Sequence, residues 1–138
     1  MTTMIVCGGR YFGHVHFLTP REDLRAEMER AAKQNFMMRE ALDHLRQGRG
    51  VTKVISGGAT GADATAYHWA RSRCLACIVV KAEWRRYGHA AGPIRNGKML
   101  DLKPDFVVAF PGRTGTADMV RQATKAGVEV IDYRETFA

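Results

Sequence analysis

Three glycine-bearing turns are the parts of this sequence best suited to chemistry, because each could bind an anion through its backbone. They are Cys7-Gly8-Gly9-Arg10, Ser56-Gly57-Gly58-Ala59-Thr60-Gly61-Ala62-Asp63 and Pro111-Gly112-Arg113-Thr114-Gly115-Thr116. Each follows an apolar run typical of a strand and precedes a segment with helical features. Unpaired N–H groups at such turns, together with the positive end of a helix, favour phosphate. One turn would be weak evidence, but three along a short chain predict a phosphate-bearing ligand.

The second turn lacks the spacing of the common nucleotide-binding motifs. Residues 57–63 contain neither G-x-G-x-x-G nor the Gly-Lys-Ser/Thr of a P-loop, so ATP hydrolysis is not expected. Its adjacent glycines would let a ligand approach the backbone, and Thr60 offers a hydroxyl. Asp63 either caps the following helix or binds a ribose hydroxyl. A tight turn with a capping Asp is the purely structural alternative.

The third turn is the sharper signal. Two glycines, two hydroxyls and Arg113 precede a helix, so a phosphate would find amide, hydroxyl and guanidinium donors together. Asp118 lies in the first turn of that helix. There it is either a favourable partner of the helix dipole or a catalytic carboxylate.

Two further segments carry side chains that could complete a site. Arg95 and Asn96 come early on a helix predicted to begin at Pro93 and to run through Leu102, and we favour Arg95 pointing into the cleft over a surface position. Trp84, in the polar loop predicted over residues 81–92, could stack on a base or pack within a lid, as could the neighbouring Tyr87 and His89. We predict no metal site.

Apolar runs without polar alternation indicate five strands, as expected of a parallel sheet covered on both faces. The predicted strands are residues 4–7, 51–56, 75–80, 106–110 and 128–133. Helical segments alternate with them, which requires parallel pairing and right-handed crossovers. We therefore expect an α/β fold, a single Rossmann-like doubly wound domain over residues 1–138 with strand order 3-2-1-4-5. That order would bring the three turns around one cleft, where ligands bind in such sheets.

The first helix is predicted to begin at a capping box and to end at a glycine. Thr19 would be the N-cap, Pro20 the first helical residue and Glu22 the reciprocal partner, with Gly48 as the C-terminal stop. The apolar stripe of this helix consists of Leu24, Met28, Ala31, Ala32, Met38, Leu42 and Leu45. Phe36-Met37 lies partly off the stripe and fits either a subunit contact or a broad core face.

Composition limits the functional classes. Hydrophobic residues at 46% and charged residues at 25% are ordinary globular values, and the net charge is +7. No apolar run reaches the roughly 20 residues of a membrane span and no signal peptide is evident, so we expect a cytoplasmic protein without membrane contact. The Cys74-Leu75-Ala76-Cys77 segment leads into a strand and not a helix, so we interpret its cysteines as buried apolar residues. The positive charge suits a phosphorylated ligand and leaves nucleic-acid binding possible.

Taken together, these motifs resemble the SLOG superfamily, and within it the YspA/YpsA-related branch of small bacterial and phage proteins. The resemblance rests on residues 6–10, 56–63, 92–99 and 109–116. It implies a Rossmann-like fold, a nucleotide-derived ligand and assembly into dimers or larger oligomers. The superfamily also includes LOG-type phosphoribohydrolases and the DNA-processing protein DprA. The R-K-x-x-M motif of the LOG enzymes is similar to residues 95–99, with Asn96 in place of Lys.

The P-G-G-x-G-T-x-x-E motif of the LOG enzymes is similar to residues 111–119. Arg113 replaces a glycine of that motif, and Met119 stands where the catalytic Glu belongs, one residue after Asp118. We therefore expect a nucleotide-binding sensor or sequestering protein without a cofactor. The alternatives are hydrolysis of the N-glycosidic bond of a nucleoside 5′-monophosphate, with Arg95 and Asp118 as catalytic residues, and DprA-like nucleic-acid binding. The expected ligand-binding residues are Gly8, Gly9, Arg10, Ser56, Gly57, Gly58, Ala59, Thr60, Asp63, Trp84, Arg95, Asn96, Pro111, Gly112, Arg113, Thr114, Gly115 and Thr116.

Overall fold

The computed structural model describes residues 1–138 and contains one five-stranded sheet. The strands are β1 (Thr2–Cys7), β2 (Val51–Ser56), β3 (Ala76–Val79), β4 (Phe106–Ala109) and β5 (Glu129–Asp132). Their order in the sheet is β3-β2-β1-β4-β5, and all four neighbouring pairs are parallel. Every strand therefore ends at the same edge. The predicted Rossmann-like α/β fold and its strand order are confirmed.

The central strand β1 is buried on both faces, because its side chains alternate between two hydrophobic cores. Met4 and Val6 join one cluster, whereas Ile5 and Cys7 join the other. Burial raises the pKa of the Cys7 thiol to about 12, so this cysteine is a neutral core residue. A strand between two helical layers needs an apolar residue at every position, which is why polar and apolar residues do not alternate along residues 4–7 of β1.

Five α-helices cover the sheet. They are α1 (Arg21–Arg49), α2 (Ala62–Ser72), α3 (Trp84–Tyr87), α4 (Ala91–Asp101) and α5 (Thr114–Lys125), with a 3-10 helix (Gly88–Ala90) between α3 and α4. Helices α1 and α2 contribute to the core that contains Met4, and α4 and α5 to the core that contains Ile5. No helix combines the length and the apolar character that a membrane crossing requires.

A polar contact fixes α2 against α1. The carboxylate of Asp43 accepts a hydrogen bond of 2.9 Å from the indole of the fully buried Trp69 and two, of 2.8 and 2.7 Å, from Arg73. The hydrogen bonds from Arg73 hold the pKa of Asp43 below its usual range. The opposite end of α2 is held at the sheet edge by a second contact, because the amide of Ala62 donates 3.1 Å to the carbonyl of Gly9.

Both predicted ends of the first helix are wrong by one or two residues. Helix α1 begins at Arg21, and the hydroxyl of Thr19 donates 2.7 Å to the carbonyl of His16 and caps nothing. At the other end Gly48 lies inside the helix, and Gly50 ends it with φ 65° and its amide on the carbonyl of Arg46. A side chain can cap a helix only if it is not already hydrogen-bonded elsewhere. Here the Thr19 hydroxyl is bonded within the turn that precedes the helix.

The apolar stripe of α1 is only half buried, contrary to the prediction of one core-facing stripe. The buried residues are Ala31, Met38, Leu42 and Leu45, whereas Leu24 and Met28 are exposed. A helix of 29 residues extends about 43 Å, and six-residue strands extend about 20 Å. The N-terminal half of α1 therefore projects past the sheet that it would need for burial.

The segment predicted as a loop at 81–92 is largely helical. It contains α3 and the 3-10 helix, and α4 begins at Ala91 instead of Pro93. Pro93 is compatible with this because it lies in the first turn, where its missing N–H would have no partner in the helix. The segment therefore presents Trp84 from a helix beside the sheet edge.

Candidate ligand-binding site

The three glycine-bearing turns converge at the sheet edge. The amide of Gly9 donates 2.8 Å to the carbonyl of Pro111, and the carbonyl of Gly9 accepts 3.1 Å from the amide of Ala62. The hydroxyl of Thr60 donates 3.0 Å to the carbonyl of Arg10. The turn after β1 is thus hydrogen-bonded to both of the others.

Glycine is required where these backbones meet. A Cβ atom on Gly8 would lie 2.6 Å from the Cβ of Ala62, and one on Gly61 would overlap the carbonyl groups of Gly9 and Arg10. Gly61 also has φ 73°, a conformation that other residues rarely adopt. A Cβ on Gly112 would come within 2.8 Å of the Gly9 nitrogen. The glycines therefore allow the three turns to approach one another closely.

The backbone donors of the turns divide into occupied and free groups. The amides of Gly9, Ala59 and Ala62 already donate within the chain, to Pro111, Asp63 and Gly9. In contrast, the amides of residues 112–116 make no hydrogen bond, and they lie at the N-terminus of α5. Arg113, within this stretch, is exposed and forms no ion pair. This is the arrangement that an anion needs: free amides, a positive helix end and an uncommitted guanidinium.

Asp63 is a buried carboxylate at the sheet edge where the three turns converge. Its side chain is 6% exposed and accepts 3.2 Å from the Ala59 amide. Burial raises the pKa of Asp63, opposed by that hydrogen bond and by the charge of Arg95. Ser56 is fully buried, and its hydroxyl donates 3.1 Å to the carbonyl of Asp63, so this hydroxyl is occupied within the protein.

Arg95 reaches from α4 toward the second turn. One of its terminal nitrogens donates 2.8 Å to the carbonyl of Gly57, and its Nε donates 3.0 Å to Asn96. A Cβ on Gly57 would lie 2.9 Å from the Arg95 Cζ and 2.8 Å from the Oδ2 of Asp63. The guanidinium and the carboxylate therefore approach the same point from opposite sides without forming an ion pair.

Asp118 lies between α4 and α5. It accepts hydrogen bonds of 2.9 Å from the buried Asn96, 2.7 Å from Gln122 and 2.6 Å from Arg121. Asn96 also donates 3.1 Å to the carbonyl of Gly115, in the first turn of α5. Both residues thus hold the N-terminus of α5 in place, which positions the free amides.

The predicted aromatic residue Trp84 stands at the margin of this site. It is half exposed, and the guanidinium of Arg10 lies 5.5 Å from its ring centroid. The ring of His14 stacks on Tyr11 and the ring of His16 packs against Tyr11 at a tilt of 37°, with ring centroids 6.1 and 4.7 Å away. No group of three His, Cys, Asp or Glu side chains is arranged to hold a metal ion.

One residue at this edge was missed from the sequence. A Cβ on Gly58 would lie 3.1 Å from the Cγ of Lys81, so this exposed lysine crosses the second turn. Lys81 follows the third strand closely, and the carboxyl ends of parallel strands share one edge. That placement could have identified it as a cation beside the second turn.

Comparisons with known proteins agree with this architecture. The sequence model of the family described as "YAcAr: YspA, cpYpsA-related SLOG family" matches residues 2–87. The Gene 61 protein of Mycobacterium phage D29 is 39% identical over 87 residues, which cover 58% of this chain and 70% of the phage protein.

Two crystal structures share the fold at low sequence identity. TM1055, a structural genomics target, has a TM-score of 0.63 at 19% identity, covering 94% of this chain and 72% of its own. DNA processing protein A (DprA) from Streptococcus pneumoniae has a TM-score of 0.62 at 15% identity; the match covers 95% of this chain and half of the DprA chain. With its family match and its strand order, this chain belongs to the YspA, cpYpsA-related SLOG family.

Proposed function

We propose that this protein binds the phosphate of a nucleotide-derived small molecule at the edge where β1, β2 and β4 end, as a sensor or sequestering protein. The observation that carries the proposal is the stretch of free amides at residues 112–116, with Arg113 among them. These donors lie at the N-terminus of a 12-residue helix, where the helix dipole stabilises an anion.

The rigidity of the turn supports an anion over water alone. The turn is fixed by the hydrogen bond from Gly9 to Pro111, and α5 behind it is fixed by Asn96 and Asp118. Donors held in place need no reorganisation when a ligand arrives, so little ordering entropy opposes binding. The net charge of +7 favours an anionic partner in the same sense.

The groups beside the turn suit the rest of a nucleotide. The carboxyl of Asp63 would accept hydrogen bonds from ribose hydroxyls, and Thr60 lies in the same turn. The half-exposed ring of Trp84 offers a stacking surface for a base, and the contact from Arg10 holds that ring toward the first turn.

Calorimetric titration with AMP, cyclic AMP, ADP-ribose and adenosine tests the proposal. The phosphorylated ligands should bind and adenosine should not. Arg113→Ala should weaken binding about 10-fold or more, because a charge-assisted hydrogen bond to phosphate is lost. Arg39→Ala, on α1, removes the same net charge and should leave the affinity within about twofold. No measurable heat with any phosphorylated ligand, or equal effects of the two substitutions, would overturn the proposal.

Hydrolysis of the N-glycosidic bond of a nucleoside 5′-monophosphate is the alternative function. It is favoured by the approach of Arg95 and Asp63 to one point, since a phosphate-binding cation would then adjoin a carboxyl with a raised pKa. Asp118, the other candidate carboxylate, is held by three side-chain donors. Chromatography should detect free adenine released from AMP, and Asp63→Asn should abolish release while Asp118→Asn should not. Absence of release by the wild type excludes this alternative.

Nucleic-acid binding is supported by the net charge and by the fold that this chain shares with DprA. An electrostatic contact with DNA weakens steeply with salt, because bound counterions are released. Binding of a single-stranded oligonucleotide at 50 and 200 mM NaCl would distinguish it. Affinity that is equal at both concentrations would contradict this mode.

A further inference from the structure

The N-terminal half of α1 carries an apolar ridge that no other part of the chain covers. Leu24, Met28, Ala32 and Phe36 follow one another at four-residue spacing, which places them along one line of the helix surface. The three large side chains are 40%, 56% and 66% exposed, in chain order. Isolated exposed hydrophobic residues need no explanation, but a continuous ridge of them marks a contact surface.

The exposed apolar area continues beyond the helix. Phe17 and Leu18, in the loop directly before α1, are 87% and 71% exposed. We name these two residues and the ridge of four the α1 surface. The exposed parts of its large side chains amount to roughly 600 Å² in one copy, from the usual areas of such side chains. Two copies together would bury about 1,200 Å² of apolar surface, which reaches the range of stable interfaces.

The charge of this half-helix indicates the partner. Residues 21–36 contain four basic and four acidic side chains, whereas the whole chain has a net charge of +7. Because residues 21–36 carry no net charge, the α1 surface does not attract a polyanion. For the same reason it does not repel a second copy, whereas the positively charged remainder of the chain would do so.

We propose that the α1 surface joins two copies of this chain, related by a two-fold axis, with the α1 helices antiparallel and crossing at Met28. That arrangement places Leu24 of one copy against the smaller Ala32 of the other. The dipoles of the two α1 helices then point in opposite directions, which is a favourable arrangement. The proposal is independent of the ligand and does not require the phosphate site to function.

Sedimentation velocity at micromolar concentration tests the contact. The wild type should sediment as a dimer, and Met28→Asp should weaken the dimer about 100-fold or more, because two carboxylates would be buried at the axis. Leu102→Asp is the matched control: Leu102 is 45% exposed, comparable to Leu24, but lies after α4. Circular dichroism spectra and melting curves establish that both variants are folded.

Disulfide cross-linking tests the antiparallel crossing. Helices packed 8–10 Å apart bring facing Cα atoms to about 4–5 Å, which a disulfide can span. Met28→Cys should therefore form covalent dimers on oxidation, in a background where Cys74 and Cys77 are serine, and Leu102→Cys should not. The proposal is overturned by a monomeric wild type, by a folded Met28→Asp protein that remains a dimer, or by cross-linking that is equal at the two positions.

Discussion

Replacing Gly61 by alanine is expected to lower the free energy of unfolding by about 3–6 kcal/mol. Gly61 has φ 73° and ψ −129°, a backbone conformation that is open to glycine, and a residue with a side chain there costs about 1–3 kcal/mol. The added Cβ would also overlap the carbonyl groups of Gly9 and Arg10, which are backbone atoms of the neighbouring turn. Moving that turn strains its hydrogen bonds to Pro111 and Ala62, so overpacking adds about 2–3 kcal/mol.

Gly88→Ala provides the matched control. Gly88 has φ 57° and ψ −134°, close to the values of Gly61, but no atom lies within 4 Å of the position of its Cβ. This substitution should therefore cost only the conformational part, about 1–3 kcal/mol. The difference between the two variants isolates the contact between the first and second turns.

Urea denaturation followed by tryptophan fluorescence measures both variants. Trp69 is fully buried and will report global unfolding. In thermal denaturation, Gly61→Ala should lower Tm by roughly 10–25 °C, and Gly88→Ala by about 4–12 °C. If the two variants lost equal stability, the first two turns would not be in contact. The convergence on which the candidate site depends would then be refuted.

Three further substitutions test other parts of the molecule. Gly48→Ala should raise the free energy of unfolding by about 0.5–1 kcal/mol, because Gly48 lies inside α1 with open space around it; an unchanged or lower Tm would count against this. Asp118→Ala should lower it by about 2–3 kcal/mol, because the carboxylate accepts three side-chain hydrogen bonds between α4 and α5; an unchanged urea midpoint would contradict that role. Burial raises the folded-state pKa of Asp63 above its ordinary value of 3.8, so its ionisation destabilises the protein increasingly as pH rises from about 3.8 through the folded pKa. Asp63→Asn should therefore be more stabilising at pH 7 than at pH 3, and a gain equal at both would refute the assignment.

The regular elements could be predicted because their signals are local. The buried run at Ile5 and Val6 and the glycines that follow it define a strand and its turn without reference to the rest of the chain. The same is true of the run at Val107 and Val108. Once strands and helices alternate, the right-handed crossover rule leaves few topologies, so the order of the strands followed as well.

The features that depended on neighbouring segments could not be predicted in the same way. The Thr19 hydroxyl binds the carbonyl of His16, and only the folded loop brings these groups together. Burial of Leu24 and Met28 was expected from helical spacing, but spacing carries no information on how far the sheet extends beneath a helix. A hydrophobic pattern identifies a face, and the tertiary structure decides whether another element covers it.

The candidate site shows the same division. The sequence by itself determined where the turns lie and that their residues can donate to an anion, because glycine, hydroxyl and guanidinium groups have those properties in any fold. Only the tertiary structure decided which donors are free: Gly9 is occupied by Pro111, whereas residues 112–116 have no acceptor. It likewise decided that Asp118 is held by neighbouring side chains while Asp63 faces Arg95. Hydrogen bonds between distant segments depend on distances of a few ångströms, and those distances are set by packing of the whole chain.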